Sequence, residues 1–112
     1  MTSTGLHEDP KVVPADVVDR HRAIQSLMEE LEAIDWYDQR VSATKDPELA
    51  QILAHNRDEE KEHAAMLIAW LCRHDAILDQ QVRERLSPDS PENAAGEIEP
   101  AEPDGFPAPP GR

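Results

Sequence analysis

The sequence predicts an all-α protein, an antiparallel hairpin of two long helices followed by a short third helix. Two observations lead to this prediction. Apolar residues recur in steps of three and four along two stretches of the chain, as in helices with one buried face. The connection between the stretches is short, which is typical of antiparallel neighbours. Because a two-helix hairpin buries little surface, we expect two copies to close a four-helix bundle.

The chain has 112 residues and is one small domain at most. Residues 1–13 show no periodicity, and we expect a flexible N-terminus there. Residues 14–86 carry the helical pattern. Residues 87–112 are rich in proline, glycine and acids and poor in apolar residues. Such a segment buries too little surface to offset its ordering entropy, so we expect a disordered tail.

The first helix begins near Pro14, where a proline and an early acid suit a first turn. It fades at Ser42-Ala43-Thr44-Lys45. Its apolar stripe contains one acid, Glu30, and a second apolar row flanks the stripe. The stripe consists of Ala23, Leu27, Glu30, Ile34, Tyr37 and Val41, and the flanking row of Ile24, Met28 and Leu31.

The second helix begins with Asp46 as N-cap and Pro47 as its first residue. Its stripe again has steps of three and four. The members are Leu49, Leu53, Asn56, Glu60, His63, Leu67, Trp70 and His74. A weaker pattern from Ile77 to Leu86 either prolongs this helix or forms a short third helix after a bend near His74-Asp75. Pro88 ends it.

Composition excludes several function classes. A formal charge of -13 and a pI near 4.6 leave no basic patch for nucleic acid. No apolar run approaches the roughly 20 residues that span a bilayer, and the N-terminal residues do not resemble a signal peptide. Cys72 is the single cysteine, so no intramolecular disulfide can form and a reducing cytoplasm is expected.

The motif Glu60-Lys61-Glu62-His63 predicts a metal site. Glu60 and His63 are neighbours on one helix face, and Glu30 interrupts the stripe of the preceding helix. Acids on a buried face are normally paired or bound to metal, and carboxylate with imidazole suits iron, manganese or zinc. Di-iron bundles combine two lone helical glutamates with two Glu-x-x-His motifs.

The chain supplies one lone glutamate and one motif, so the full set requires two chains. Two copies of Glu30 and Glu60 carry four negative charges, which two divalent ions balance, and each ion would receive one His63. Glu60 can bridge ions separated by about 3.5–4 Å. The alternative is a satisfied polar network at a dimer interface, with Asn56 as a member.

Four further residues of the first helix lie near Glu30. Glu29, Glu32 and Trp36 flank the stripe, and the acids fit either a path that attracts cations or a solvated acidic face. Tyr37 fits either a partner of a metal ligand or a core residue. The remaining histidines, expected in surface or capping roles, are His7, His21, His55 and His74.

At these residues the sequence resembles the encapsulated ferritins. The similarity lies in the block from Leu27 to Tyr37, in His55-Asn56 and in the block from Glu59 to Ala64, and it covers about Pro14 to Asp75. The resemblance implies ring-shaped decamers, each made of five dimers, that act as ferroxidases and oxidise Fe(II) to Fe(III) with two iron ions per dimer. Such proteins work inside an encapsulin nanocompartment in the cytoplasm.

The resemblance also assigns roles to residues. Glu30, Glu60 and His63 match the iron ligands that each subunit supplies, and Tyr37 matches a residue beside the ferroxidase centre. Glu29 and Glu32 match acids of an outer, metal-attracting site of the family. Trp36 matches a residue near the path by which metal approaches. The family's Gly-Ser-Leu shell-targeting peptide is not evident in the tail, so the encapsulin partner rests on the family pattern alone.

Two other functions fit the same residues. One is a metal carrier or buffer without catalytic activity, because ligands alone do not separate binding from oxidation. The other is an α-helical oligomerisation module whose acidic tail docks a partner, in which case the acids are only solvated.

Overall fold

The structure is a computed structural model that describes residues 5–89. It contains three helices, α1 (Ala15–Ala43), α2 (Pro47–Arg73) and α3 (Ala76–Leu86). Residues 5–89 contain no strand, so the predicted all-α class is confirmed. The third helix is a separate element after a bend, which decides between the two alternatives that the sequence left open.

Three residues, Thr44 to Asp46, connect α1 to α2 and fold them into the predicted hairpin. The Asp46 carboxylate accepts hydrogen bonds from the backbone N–H groups of Glu48 at 3.0 Å and Leu49 at 3.3 Å. Pro47 follows at the first helical position, where its missing N–H costs nothing. The side-chain oxygen of Thr44 accepts from the Asp46 backbone N–H at 3.2 Å. These local bonds start α2 where the sequence predicts.

The end of α2 is fixed by His74, whose ring stacks on Trp70 with centroids 3.9 Å apart. Its Nδ1 lies 2.8 Å from the Trp70 carbonyl oxygen, which also accepts from the His74 backbone N–H at 3.1 Å. Arg20 of α1 donates to the His74 carbonyl at 3.4 Å. Asp75 then caps α3 by accepting from the Leu78 N–H at 3.0 Å. The expected capping role of His74 is thus observed.

The hairpin core is small. Among the described residues only Ala23, Ala64, Leu71 and Arg57 are buried. On α1 the buried position belongs to the predicted stripe. On α2 the buried positions recur every seven residues, but each lies one residue after a predicted member, because the row through Asn56, His63 and Trp70 faces the edge of the hairpin.

A second apolar surface lies open on the hairpin, as expected for a chain that pairs with a copy of itself. The flanking row of α1 is exposed at Ile24, Met28 and Leu31, and Met66 of α2 is 62% exposed. Within residues 5–89, no helix combines the length and apolar character needed to cross a membrane.

The division into residues 1–13, 14–86 and 87–112 remains a prediction. The predicted flexible N-terminus lies partly, and the predicted disordered tail mostly, outside the described residues.

Candidate metal centre

Glu30, Glu60 and His63 meet across the hairpin. One potential ligand atom from each lies within 4.8 Å of the others. The Nδ1 atom of His63 is 3.3 Å from Oε1 of Glu60 and 3.6 Å from Oε1 of Glu30. A lone helical glutamate and a Glu-x-x-His pair, separated by some 30 residues in the chain, therefore face one point in space.

The antiparallel register brings these side chains together. Glu30 lies near the middle of α1, and Glu60 with His63 near the middle of α2. Both glutamates are about three-quarters covered, whereas the His63 side chain is 51% exposed. The two carboxylates are thus partly covered by the hairpin, whereas the imidazole lies at its exposed edge.

The two neighbouring carboxyl groups shift each other's pKa in opposite directions. The hydrogen bond between them raises the pKa of Glu30, and burial and the charge of Glu60 act in the same direction. The same bond lowers the pKa of Glu60. The proton is thus favoured on Glu30 over Glu60, because two adjacent negative charges repel. The hydrogen bond with Glu60 also raises the pKa of His63.

A groove of about 640 Å³ opens beside the cluster. Its lining is mostly apolar, apart from the two site residues and one serine and one arginine. The lining residues are Ser26, Glu30, His63, Met66, Leu67, Ala69, Trp70 and Arg73. A cluster with three ligand groups thus stands at the margin of an open apolar surface. Three groups fall short of the four or more ligands that transition metals take from a closed site.

A family comparison decides where the chain belongs. The EncFtn-like family model matches residues 5–89, which include all three helices and the whole cluster. The chain belongs to the EncFtn-like family. The resemblance to the encapsulated ferritins is thereby confirmed.

Named relatives agree with this assignment. The chain is 58% identical over 90 residues to an encapsulated ferritin-like protein of Rhodospirillum rubrum, across 80% of this chain and 64% of the relative. It is 54% identical over 70 residues to a ferritin-like protein of Thermotoga maritima, across 62% of this chain and 61% of the relative. The chain thus spans less than two thirds of the length of both.

A solved structure supports the fold. A crystal structure of a protein from Nitrosomonas europaea superposes with a TM-score of 0.68 at 55% sequence identity. The superposition covers 71% of this chain and 88% of that one. The hairpin of this EncFtn-like chain is thus a fold that also occurs in a crystallised relative.

The other predicted site residues of this EncFtn-like chain lie outside the cluster. Glu29 and Glu32 are exposed on α1, and the Glu29 carboxylate accepts from Gln25 at 3.4 Å. Arg40 lies over the rings of Trp36, at 5.9 Å, and Tyr37, at 5.6 Å. Tyr37 is two helical turns, about 10 Å, from Glu30 along α1. Within one chain the structure brings together only the three predicted ligands, and the roles of all these residues remain predictions.

Sequence reasoning missed two contacts. His55, which was expected to have no clear partner, lies with Nε2 3.2 Å from the exposed Glu59 carboxylate one turn later. Arg57 is buried and donates to Asp38 of α1 at 3.1 Å. The His55 pair has an i, i+4 signal in the sequence. The Arg57 pair has none, because its partner depends on the register of the two helices.

Proposed function

We propose that this protein is a ferroxidase whose di-iron centre forms between two copies of the chain. Membership of the EncFtn-like family implies an iron-related, ferritin-like function. The observation that carries the finer proposal is the cluster of Glu30, Glu60 and His63 at the margin of an open apolar groove. The groove is where a second hairpin would complete the ligand set.

Two copies supply the ligand set of a di-iron bundle. Each hairpin contributes one lone glutamate and one Glu-x-x-His pair, which is half of the set. Two Fe(II) ions balance the four carboxylate charges, and a Glu60 from each chain can bridge them at about 3.5–4 Å. Iron is the substrate here. Two Fe(II) ions each give up one electron, and O₂ takes up both electrons and two protons to become hydrogen peroxide.

Aerobic oxidation of Fe(II), followed by the absorbance of the ferric product, tests the proposal. Loss of an outer-shell partner of a metal site costs about 10–100-fold. We therefore expect at least a comparable loss of rate in Glu30→Ala, Glu60→Ala and His63→Ala. The matched controls are Glu59→Ala and His55→Ala, exposed residues of the same helix outside the cluster. Cluster variants that oxidise Fe(II) as fast as the controls would refute the site.

Turnover distinguishes the oxidase from a metal carrier. With Fe(II) in large excess over protein, an enzyme continues to form Fe(III) after the sites have filled once. A carrier stops after one equivalent of sites. We expect continued oxidation in air and none without an oxidant. A single burst that matches the number of sites would favour the carrier.

We also propose that the enzyme acts inside an encapsulin shell in the cytoplasm. The support is the Rhodospirillum rubrum relative, which is named an encapsulated ferritin-like protein. The tail that would carry a targeting signal lies outside the described residues. The test is co-expression of the full chain with an encapsulin of the same genome, beside a variant that stops after Asp89. We expect the full chain, but not the shortened variant, to co-sediment with the shell. Equal co-sedimentation of the two would contradict a signal in the tail.

A further inference from the structure

Arg57 is the only buried charged residue among residues 5–89, and two carboxylates hold its guanidinium. Its Nη1 lies 3.1 Å from Oδ1 of Asp38 on α1. Its Nε lies 3.1 Å from Oδ1 of Asp58, the next residue on α2. Only 10% of the Arg57 side chain is exposed. A charge that is covered to this extent is costly unless it is paired, so α1 and α2 must keep the arrangement that pairs it.

The ion pair lies close to the candidate metal centre. Arg57 precedes Glu60 by three residues, or about one helical turn, and Asp38 follows Glu30 by eight residues, or about two turns. Apart from the contact of His63 with Glu30, it is the only ion pair between α1 and α2 in the described part of the chain.

The buried apolar residues of this hairpin are few and mostly small, so they place few shape constraints on its register. Two of the three buried apolar residues are alanines, Ala23 and Ala64, and burial of apolar surface has no preferred direction. Sliding one helix by a single residue moves its side chains by about 1.5 Å. Metal sites tolerate deviations of only about 0.2 Å in ligand distance. An arginine, which offers donors in a rigid planar fork, restricts both sliding and rotation.

We propose that Arg57 is a positioning residue, whose ion pair with Asp38 fixes the register of α1 on α2 so that Glu30 meets Glu60 and His63. The proposal rests on the function proposed above, because it assumes that these three side chains bind metal. The bond to Asp58 lies within α2 and does not affect the register. Asp38 and Asp58 accept from the same guanidinium at the same distance, but only the bond to Asp38 connects α1 with α2.

The test compares Asp38→Asn with Asp58→Asn in the full chain. The probe is Co(II), whose visible spectrum reports its coordination and whose affinity is read by titration without any redox step. We expect Asp38→Asn to weaken Co(II) binding by about 10-fold or more and to change the spectrum. Asp58→Asn should stay within about twofold of wild type. Equal effects of the two variants, or no effect of either, would overturn the proposal.

A second variant covers the case in which Asp38→Asn unfolds the hairpin. Asp38→Leu with Arg57→Met removes both charges, and replacing a buried pair by apolar residues often preserves stability. We expect native helix content by circular dichroism but weakened Co(II) binding. Wild-type affinity in this double variant would refute positioning by Arg57.

Wild type and His63→Ala separate the two proposals. Loss of Co(II) binding in His63→Ala, with wild-type binding in Asp38→Asn, would reject only the role of Arg57. Identical Co(II) binding by wild type and His63→Ala would reject the metal centre itself.

Discussion

At the scale of single residues, protons compete with metal at the candidate centre. The hydrogen bond with Glu60 raises the pKa of Glu30, which favours the protonated form of Glu30. His63 has a raised pKa for a related reason, the hydrogen bond with the Glu60 carboxylate. A metal ion requires carboxylates and a neutral imidazole, so its binding must displace these protons.

Metal affinity should therefore depend on pH. Because the pKa of His63 is raised, its proton persists above the usual range near pH 6.5, and metal must compete with it. We expect the Co(II) affinity to rise with pH and to level off only above the raised pKa of His63. Titrations in buffers of different protonation enthalpy would also show proton release. His55→Ala should keep this profile, and an affinity independent of pH would contradict the assignment.

Replacing Glu30 should stabilise the metal-free protein. Its carboxyl occupies an apolar stripe beside Glu60, where burial and the like charge of Glu60 disfavour its ionised form. We expect Glu30→Leu to raise the free energy of unfolding by about 1 kcal/mol and to abolish metal binding, the trade-off typical of functional sites.

Urea denaturation in the presence of a chelator measures this change in stability. The control is Glu29→Leu, at the exposed neighbouring position, which should change stability by less than about 0.5 kcal/mol. Destabilisation by Glu30→Leu would mean that the carboxyl contributes to the metal-free fold.

The sequence was sufficient to select Glu30, Glu60 and His63, because an acid in an apolar stripe and an i, i+3 pair are both visible in spacing. It was not sufficient to find the bond between Arg57 and Asp38. A charged residue on a helix looks solvated in sequence, and its partner across the hairpin follows from a register that spacing does not define. The predicted role of Tyr37 likewise could not be judged from spacing, because in the proposed dimer it depends on a second chain.

At the scale of elements, α2 depends on its first turn. Asp46 satisfies two N–H groups that the helix cannot pair internally. Because α2 carries three of the four buried residues, its cap contributes to the stability of the whole hairpin.

Asp46→Ala should therefore lower the free energy of unfolding by about 1 kcal/mol. Asp75→Ala is the matched control, because Asp75 caps α3, which contains no buried residue. We expect that change to fray α3 with little loss of global stability. Amide hydrogen exchange should then become faster in α3 only. Equal global losses in both variants would show that α3 is part of the same cooperative unit.

The boundaries of the elements were predictable because Asp46, Pro47 and the prolines after Leu86 leave clear local signals. The buried face of α2 was less predictable from the sequence. Two adjacent rows of that helix, one through His63 and one through Ala64, repeat at the same interval, and each combines polar with apolar residues. Only the position of α1 determines that the second row is covered.

At the scale of the whole molecule, metal and assembly should be coupled. In the proposed dimer, four carboxylates approach one another, and without cations they repel. A ligand that binds only the assembled form stabilises it by mass action. We expect native mass spectrometry to show mainly monomer after chelation and a shift to dimers and larger rings with Fe(II) under anaerobic conditions.

His63→Ala should weaken this shift, and His55→Ala should leave it unchanged. Assembly that proceeds equally with and without metal would favour the oligomerisation module instead. The number of subunits in any larger assembly was not predictable from spacing, because one hairpin does not define the angle between neighbouring copies.

The small core of the hairpin has a consequence for the life of the protein in a cell. With four buried residues among those described, a newly made chain without a partner should open more often than a chain in the proposed dimer. Open chains are cleaved by proteases in proportion to how often they open. Orphan subunits should be removed and paired ones spared, so the amount of the protein that accumulates would follow its rate of pairing more closely than its rate of synthesis.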